Sequence, residues 1–263
     1  MSFDGLINTV LVVISAYVYI SLLRQISERR VEIAPVGAKT FDFPEAVVAV
    51  LLAGWFSLTI LASASGPPAN IRSRDVILTA GLSLAVVLAL VTFLRLRRLD
   101  IRALGGFSRL SFGRIVSTAG VLLLAAYPLI FLADAISQRV LGRGSSKQQI
   151  VEMFSGSQTM QERILIIVLA VAVAPLVEEF IFRFFFYGVI KRYLGRSTGL
   201  LLNALLFAAV HVHLPSFGPL FILGSCFTLA YEWSGSILVP MTMHAFFNFL
   251  TLTALAFPDT LPQ

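Results

Sequence analysis

Three ionisable residues interrupt an apolar part of the chain and are the first candidates for chemistry. Glu178, Glu179 and Arg183 lie in the run 164–187, which otherwise carries no charge. Ionisable groups at the depth of a lipid bilayer are costly, so they are functional candidates by default. The cluster fits a proton-accepting carboxylate, a buried structural network, or the proton path of a transporter.

Helical spacing separates these three charges into a pair and a single carboxylate. Glu179 and Arg183 are four residues apart, so they share a helix face and can form an ion pair. Glu178 is rotated by about 100° around the helix axis and needs another partner. We therefore interpret Glu179 and Arg183 as a structural pair and Glu178 as the candidate general base. Pro175 removes a backbone hydrogen bond and predicts a kink just before the acids.

Two histidines follow in the next apolar segment. His211 lies four residues after Phe207, so the two rings share a helix face. A single histidine in a membrane is more often a packed hydrogen-bonding group than a base, but Glu178 favours a functional role for His211. His213 precedes Pro215, which predicts the end of the helix, and we expect His213 at the interface.

His244 and Asn248 share a face of the last apolar segment, because they are also four residues apart. A neutral imidazole and an amide are hydrogen-bond donors without net charge. Two donors aimed at one point could stabilise the oxyanion that forms when a peptide carbonyl is attacked. Hydrogen bonding between helices is the alternative for both residues.

The composition defines the elements that must position these residues. The 263-residue chain is 57% hydrophobic and 13% charged, whereas a soluble domain carries about 25% charged residues. We predict an all-α, polytopic membrane protein of about eight transmembrane helices that enclose an intramembrane active-site cavity. We also expect a short helix within Gln148–Phe154. The stretch Leu99–Gly113 is expected to be either a basic interfacial segment or a basic loop that binds lipid headgroups. The predicted spans are Gly5–Leu23, Phe43–Ala64, Val76–Leu94, Ile115–Ser137, Ile164–Tyr187, Gly199–His211, Phe217–Tyr231 and Ser236–Phe257.

The basic residues predict the orientation of these spans. The sequence pI is about 9.9, but the Lys and Arg residues lie in short loops rather than in a stripe, so we expect no nucleic-acid partner. Thirteen of the twenty fall in alternate connections, which predicts an external N-terminus. With about 1.5 Å of rise per residue, Glu178 lies about 22 Å from the outer end of its segment. His211 and His244 lie about 18 and 13 Å from the cytoplasmic ends of theirs. All three can meet at middle to inner depth, in a cavity open to the cytoplasm.

The three motifs together resemble those of a known family. Glu-Glu-x-x-x-Arg at 178–183, Phe-x-x-x-His at 207–211 and His-x-x-x-Asn at 244–248 are similar to the motifs of the CPBP family. This family, also called Abi, contains CAAX prenyl proteases of the Ras-converting type and bacteriocin-processing proteins. The similarity covers roughly residues 160–251. It divides the chain into an N-terminal transmembrane scaffold, 1–158, and a CAAX protease/Abi-like catalytic core, 159–257, within one integrated membrane domain.

The resemblance implies an intramembrane endopeptidase with assigned residues. Glu178 and His211 would activate water, and His244 and Asn248 would form the oxyanion site. Glu179 and Arg183 would support them. The implied substrate is a peptide or protein, membrane-anchored or lipidated, with CAAX-type or bacteriocin-related processing. We expect a bacterial inner membrane, with its lipids as partners, because the chain is compact and carries no targeting signal.

A metal and a non-catalytic function are the alternatives to this interpretation. A glutamate and two histidines could bind zinc, but the spacing lacks a His-Glu-x-x-His helix, so we expect no metal and no other cofactor. A non-catalytic immunity or scaffold protein, or a proton-coupled transporter, would use the same charges as a buried network. The effect of Glu178→Gln on cleavage distinguishes these functions.

Overall fold

The described part of the chain is helical and contains no strand, which confirms the all-α prediction. The computed structural model describes residues 3–29, 40–65, 73–141, 154, 156–157 and 159–257. Most of the helix expected within Gln148–Phe154 lies outside these residues. The α-helices are α1 Phe3–Glu28, α2 Phe43–Ser65, α3 Ser73–Leu96, α4 Ile101–Gly105, α5 Phe112–Leu141, α6 Met160–Val168, α7 Ala174–Glu179, α8 Tyr187–Val210, α9 Phe217–Ser234 and α10 Leu238–Ala256.

Seven helical stretches of the described residues are long and apolar enough to cross a membrane. One of them, Met160–Val210, has 51 residues and turns back on itself at Gly195, where φ is 83° and ψ is 171°. This conformation favours glycine because it has no Cβ. A Cβ on Gly199 would lie 3.2 Å from the backbone nitrogen of Lys191, although a straight helix would separate these residues by about 12 Å. The fifth and sixth predicted spans are therefore two legs of one hairpin.

Several connections between spans meet at one end of the bundle. Arg196, just after the Gly195 turn, donates from Nη1 to the carbonyl oxygen of Ile26 at 2.8 Å. The backbone nitrogen of Ile237, just before α10, donates to the carbonyl oxygen of Gly105 at 2.9 Å. The end of α1, the hairpin turn, the α3–α5 connection and the α9–α10 turn thus share one end, as alternating spans require.

The segment between α3 and α5 packs against protein as well as carrying basic residues. Asp100 caps α4 by accepting from two backbone nitrogens, and Tyr231 donates from Oη to the carbonyl oxygen of Leu104 at 3.2 Å. A Cβ on Gly106 would lie 1.8 Å from the carbonyl oxygen of Gly235, so only glycine allows this approach. The stretch that we predicted as an interfacial segment therefore also fixes the turn from which α10 begins.

Side chains from both halves of the sequence form one hydrophobic core in the described residues. Phe41 and Phe56 from the N-terminal half contact Phe184 and Phe182, with ring centroids 5.7 and 5.9 Å apart respectively. Aromatic pairs of this kind add specific ring geometry to the burial of apolar area. Side chains of the N-terminal half thereby pack against the segment that carries Arg183. The division at residue 158 into scaffold and core stays a prediction.

Candidate active site

The acidic residues lie between two π-helical segments. The first, Leu169–Val173, precedes α7, and the second, Phe180–Phe186, follows it. Residues 178 and 179 end α7, and Arg183 lies inside the second segment. Pro175 stands in the first turn of α7. π-Helical turns are rare and occur frequently at functional sites.

Glu179 and Arg183 form the ion pair that the sequence predicts. Arg183 donates from Nη1 to Oε1 of Glu179 at 2.9 Å, and both side chains are 0% exposed. Its Nη2 donates to the carbonyl oxygen of Gly224 on α9 at 3.2 Å. A buried ion pair is tolerated when further hydrogen bonds satisfy its atoms. The pair therefore joins the hairpin to α9.

Two aromatic rings and a glycine pack around the Arg183 guanidinium. Its Cζ lies 4.1 Å from the ring centroid of Phe207 and 5.2 Å from that of Phe227, within the range of cation–π attraction. A Cβ on Gly224 would lie 2.9 Å from Cδ1 of Phe207 and 3.3 Å from Nη2 of Arg183. Gly224 and Phe227 could not be predicted as neighbours of Arg183, because no local spacing in the sequence links them to it.

Glu178 is in a different environment from its neighbour. Its side chain is 28% exposed, yet its Oε2 is buried and has no hydrogen-bond partner among the described residues. This oxygen lies 4.0 Å from Nε2 of His244, which is too long for a hydrogen bond. His244 is thus the ring that contacts Glu178 among the described residues, and the joint role of Glu178 and His211 in activating water stays a prediction.

His244 connects the two carboxylates. Its Nδ1 lies 2.9 Å from Oε1 of Glu179, and its ring stacks on Phe227 with centroids 5.1 Å apart. An ionised carboxylate accepts hydrogen bonds only, so Nδ1 carries the proton. The His244 ring is buried, and the bond to Glu179 and the stacking on Phe227 hold it with Nε2 directed towards Glu178. The bond to Glu179, rather than the four-residue spacing from Asn248, explains how the His244 ring is oriented.

His211 is oriented by its own helix, as its four-residue spacing from Phe207 predicts. Its Nδ1 lies 2.7 Å from the carbonyl oxygen of Phe207, and the two rings are 4.9 Å apart. Because a carbonyl only accepts, Nδ1 carries the proton and Nε2 has the free electron pair. The Phe207 ring is also 6.2 Å from His244. His213 bonds instead through Nδ1 with Oγ of Ser216 at 2.8 Å.

Asn248 makes a hydrogen bond between helices. Its Nδ2 donates to the carbonyl oxygen of Ala170 at 2.7 Å. The acceptor fixes the orientation of the amide, because a carbonyl cannot donate. One of the two amide hydrogens is therefore committed to the first π-helical segment. The role of Asn248 in an oxyanion site stays a prediction.

A chain of hydrogen-bonded polar residues behind the site was not predicted from the sequence. Asn203 donates from Nδ2 to Oγ1 of Thr228 at 3.0 Å. Thr228 donates in turn to the carbonyl oxygen of Gly224 at 2.9 Å, the atom that also accepts from Arg183. Asn203 and Thr228 are both 0% exposed. An amide in the otherwise apolar stretch 199–210 was the available signal.

The comparison with protein families agrees with this arrangement. Residues 160–250 match the model of the type II CAAX prenyl endopeptidases, described as Rce1-like. The chain carries an Rce1-like domain. This confirms the resemblance inferred from the three motifs, and the matched residues include Glu178, Glu179, Arg183, His211, His244 and Asn248. The comparisons with curated proteins and with solved structures found no match.

The side chains of the Rce1-like domain can also be tested against a metal site. In the described residues, no group of three or more His, Cys, Asp or Glu side chains is arranged to hold a metal ion. The Nδ1 atoms of His211 and His244 are engaged by Phe207 and Glu179. These bonds leave Nε2 of each ring available as a ligand, so what speaks against a metal is the lack of a three-ligand group among the described residues, and the mechanism proposed below uses no metal. The expectation of no metal stays a prediction, which a chelator tests.

Proposed function

We propose that this integral membrane protein is an endopeptidase in which Glu178 activates the attacking water. The Rce1-like domain supports a CAAX-type intramembrane endopeptidase at the level of the family. The observation that carries the residue assignment is the contrast between adjacent carboxylates. Glu179 is fully buried and its Oε1 is bonded to Arg183 and His244, whereas Glu178 is 28% exposed and forms no hydrogen bond with either residue.

The proposed reaction is general-base hydrolysis of a peptide bond. Glu178 accepts a proton from water, and the resulting hydroxide attacks the carbonyl carbon of the substrate. The free electron pair on Nε2 of His211 accepts a hydrogen bond from the other O–H of that water and orients it, and this proton stays on the oxygen. The tetrahedral intermediate then breaks its C–N bond, and Glu178 returns its proton to the leaving amine. Atoms and charge balance without a cofactor.

His244 is the donor to the oxyanion in this proposal, in its protonated form. Its Nδ1 hydrogen is held by Glu179, so donation from Nε2 requires a second proton on the ring. Two carboxylates and Arg183 carry a net charge of −1, which an imidazolium at His244 balances. This differs from our sequence-based interpretation of His244 as a neutral donor. Electrostatic stabilisation by preorganised donors is usually a large part of catalysis.

The substrate and the membrane orientation belong to the same proposal. We propose a peptide or protein substrate that is membrane-anchored or lipidated, and an enzyme of a bacterial inner membrane with its site open to the cytoplasm. The end of the bundle that gathers Arg29, Lys191 and Arg196 supports this orientation, because basic residues concentrate in cytoplasmic connections. CAAX-type and bacteriocin-related processing both fit this chemistry.

Replacement of Glu178 by its amide tests the proposal. Glu178→Gln keeps the shape of the side chain and removes the base, so we expect loss of cleavage by about 10²–10⁴-fold. The measurements are hydrolysis of an internally quenched farnesylated CAAX peptide and proteomic comparison of cells for missing cleavage products. The matched control is Glu28→Gln, because Glu28 is an exposed residue that pairs with Arg24.

The outcomes separate the competing functions. Cleavage that survives Glu178→Gln in a folded protein contradicts the assignment of the base. An unchanged cellular phenotype favours a scaffold, and proton-dependent solute flux in vesicles favours a transporter. Activity that a chelator removes and zinc restores would reverse the expectation of a metal-free reaction.

A further inference from the structure

We propose that Asn248 is a positioning residue that caps the carbonyl of Ala170, which Pro175 leaves without a backbone donor. Through this cap, α10 holds the segment that carries Glu178. The inference rests on the proposed function for its catalytic consequence, but the cap itself depends only on contacts between helices. It gives Asn248 a role different from the oxyanion donation that its motif implies.

The backbone register of the first π-helical segment identifies the orphaned carbonyl. The N–H of Ala174 donates to the carbonyl oxygen of Leu169, five residues earlier. In the same register, residue 175 would donate to Ala170. Pro175 has no N–H, so this bond cannot form. The side-chain amide of Asn248 donates to this oxygen instead, at 2.7 Å.

The bond from the Asn248 amide matters because the carbonyl of Ala170 lies in an apolar setting. Ala170 is buried, and a backbone carbonyl without a donor is costly where water is excluded. An α-helical register would satisfy Ala170 from the N–H of Ala174, but it would leave the carbonyl of residue 171 without a donor, again because Pro175 has no N–H. An external donor is therefore required at this break, and Asn248 provides it.

The cap also fixes the relative position of the proposed catalytic groups. Asn248 and His244 lie four residues apart on one face of α10. Asn248 bonds the chain before Pro175, and His244 bonds Glu179 after it. Helix α10 thus bridges the interruption at two points. Loss of the first bond frees the break to relax, and Glu178 shifts relative to His244.

A double-mutant cycle between Asn248 and Pro175 tests this role. Pro175→Ala returns an N–H that can donate to Ala170, so it makes the Asn248 amide redundant. The variants are Asn248→Ala, Pro175→Ala and their combination, with Pro128→Ala as the matched control, since Pro128 also lies inside a helix but on α5. The measurements are Tm in detergent, by tryptophan fluorescence, and kcat and KM for the farnesylated CAAX peptide.

Asn248→Ala alone should lower kcat by about 10-fold or more with little change in KM, because small displacements at a reacting centre cost rate. It should also lower Tm by several degrees. Pro175→Ala should recover both quantities to within about 2-fold in kcat, and Pro128→Ala should recover neither. If Asn248→Ala gives no folded protein, Asn248→Leu is used, and recovery of folding by Pro175→Ala then supports the cap.

Other outcomes overturn the proposal. An equal loss of kcat with proline or alanine at position 175 assigns Asn248 to the oxyanion. A Tm loss that Pro175→Ala does not reverse removes the cap. If the wild-type protein cleaves no peptide, the proposed function fails but the Tm cycle still decides whether Asn248 caps Ala170.

Discussion

Two carboxylate clusters in this protein differ in how completely their atoms are bonded. Glu232, near the end of α9, accepts from Nζ of Lys191 at 2.6 Å and from Oη of Tyr187 at 3.0 Å. Its Oε1 also lies 3.1 Å from Nε of Arg196. Lys191 and Arg196 are 37% and 30% exposed. This cluster joins the hairpin to α9 at the basic end of the bundle, and both of its carboxylate oxygens have partners.

The cluster inside the apolar core is more deeply buried but less completely bonded. Oε2 of Glu178, Oε2 of Glu179 and Nε of Arg183 are buried without a hydrogen-bond partner among the described residues. Buried polar atoms are nearly always bonded, so each exception needs an explanation. A cluster that served stability alone would have partners for all its buried polar atoms, as the carboxylate of Glu232 does. The difference supports a role for the inner cluster in binding a water or a substrate group.

Removal of Arg183 should have the largest effect on stability. Arg183→Met removes the guanidinium that is bonded to the fully buried carboxylate of Glu179, and breaking a buried pair in this way costs about 3–5 kcal/mol. We expect a large decrease in Tm or no folded protein, measured by thermal unfolding and size-exclusion chromatography in detergent. An unchanged Tm would contradict the structural importance of the pair.

A second substitution sharpens this prediction. Glu179→Gln combined with Arg183→Met removes both charges and should recover part of the lost stability, because a missing buried pair costs less than a broken one. Cleavage should stay low in the double variant, since His244 has lost its carboxylate. Recovery of cleavage together with stability would show that Glu179 has only a structural role.

A methyl group at Gly224 tests the close packing around Arg183. Gly224→Ala places a Cβ 2.9 Å from Phe207, and overpacking of this kind costs about 1–3 kcal/mol. We expect a lower Tm and reduced cleavage of the farnesylated peptide. Gly120→Ala is the matched control, because a Cβ at that helical position meets no atom within 4 Å. Equal effects of the two substitutions would exclude a specific role for Gly224.

The smallest effect is expected at the outer cluster. Glu232→Gln weakens ion pairs whose basic partners are partly exposed, so solvent screening limits the cost to about 1 kcal/mol. The Tm should fall slightly, and the difference from wild type should shrink at high salt. Cleavage should change less than about 2-fold, in contrast to Arg183→Met. A loss of cleavage comparable to that of Glu178→Gln would remove the functional distinction between the clusters.

Some features of the site could be predicted from local spacing. The pairing of Glu179 with Arg183 and the shared face of Phe207 and His211 both follow from a four-residue separation within a helix. The partner of Glu178 could not be obtained in this way. Its neighbour is His244, 66 positions later in the sequence, and that contact depends on how α10 crosses the hairpin.

The sequence by itself determined that this is an all-helical membrane protein with an Rce1-like domain, because long apolar runs and short motifs act locally. It also separated the fifth and sixth spans, whereas the turn at Gly195 that joins them was found only in the structure. Only the tertiary structure decided which atoms of the motifs meet. The two π-helical segments change the rotation of the residues that follow them, so a regular helical wheel no longer gives their directions. Packing of α10 then directs His244 to Glu179 and Asn248 to Ala170.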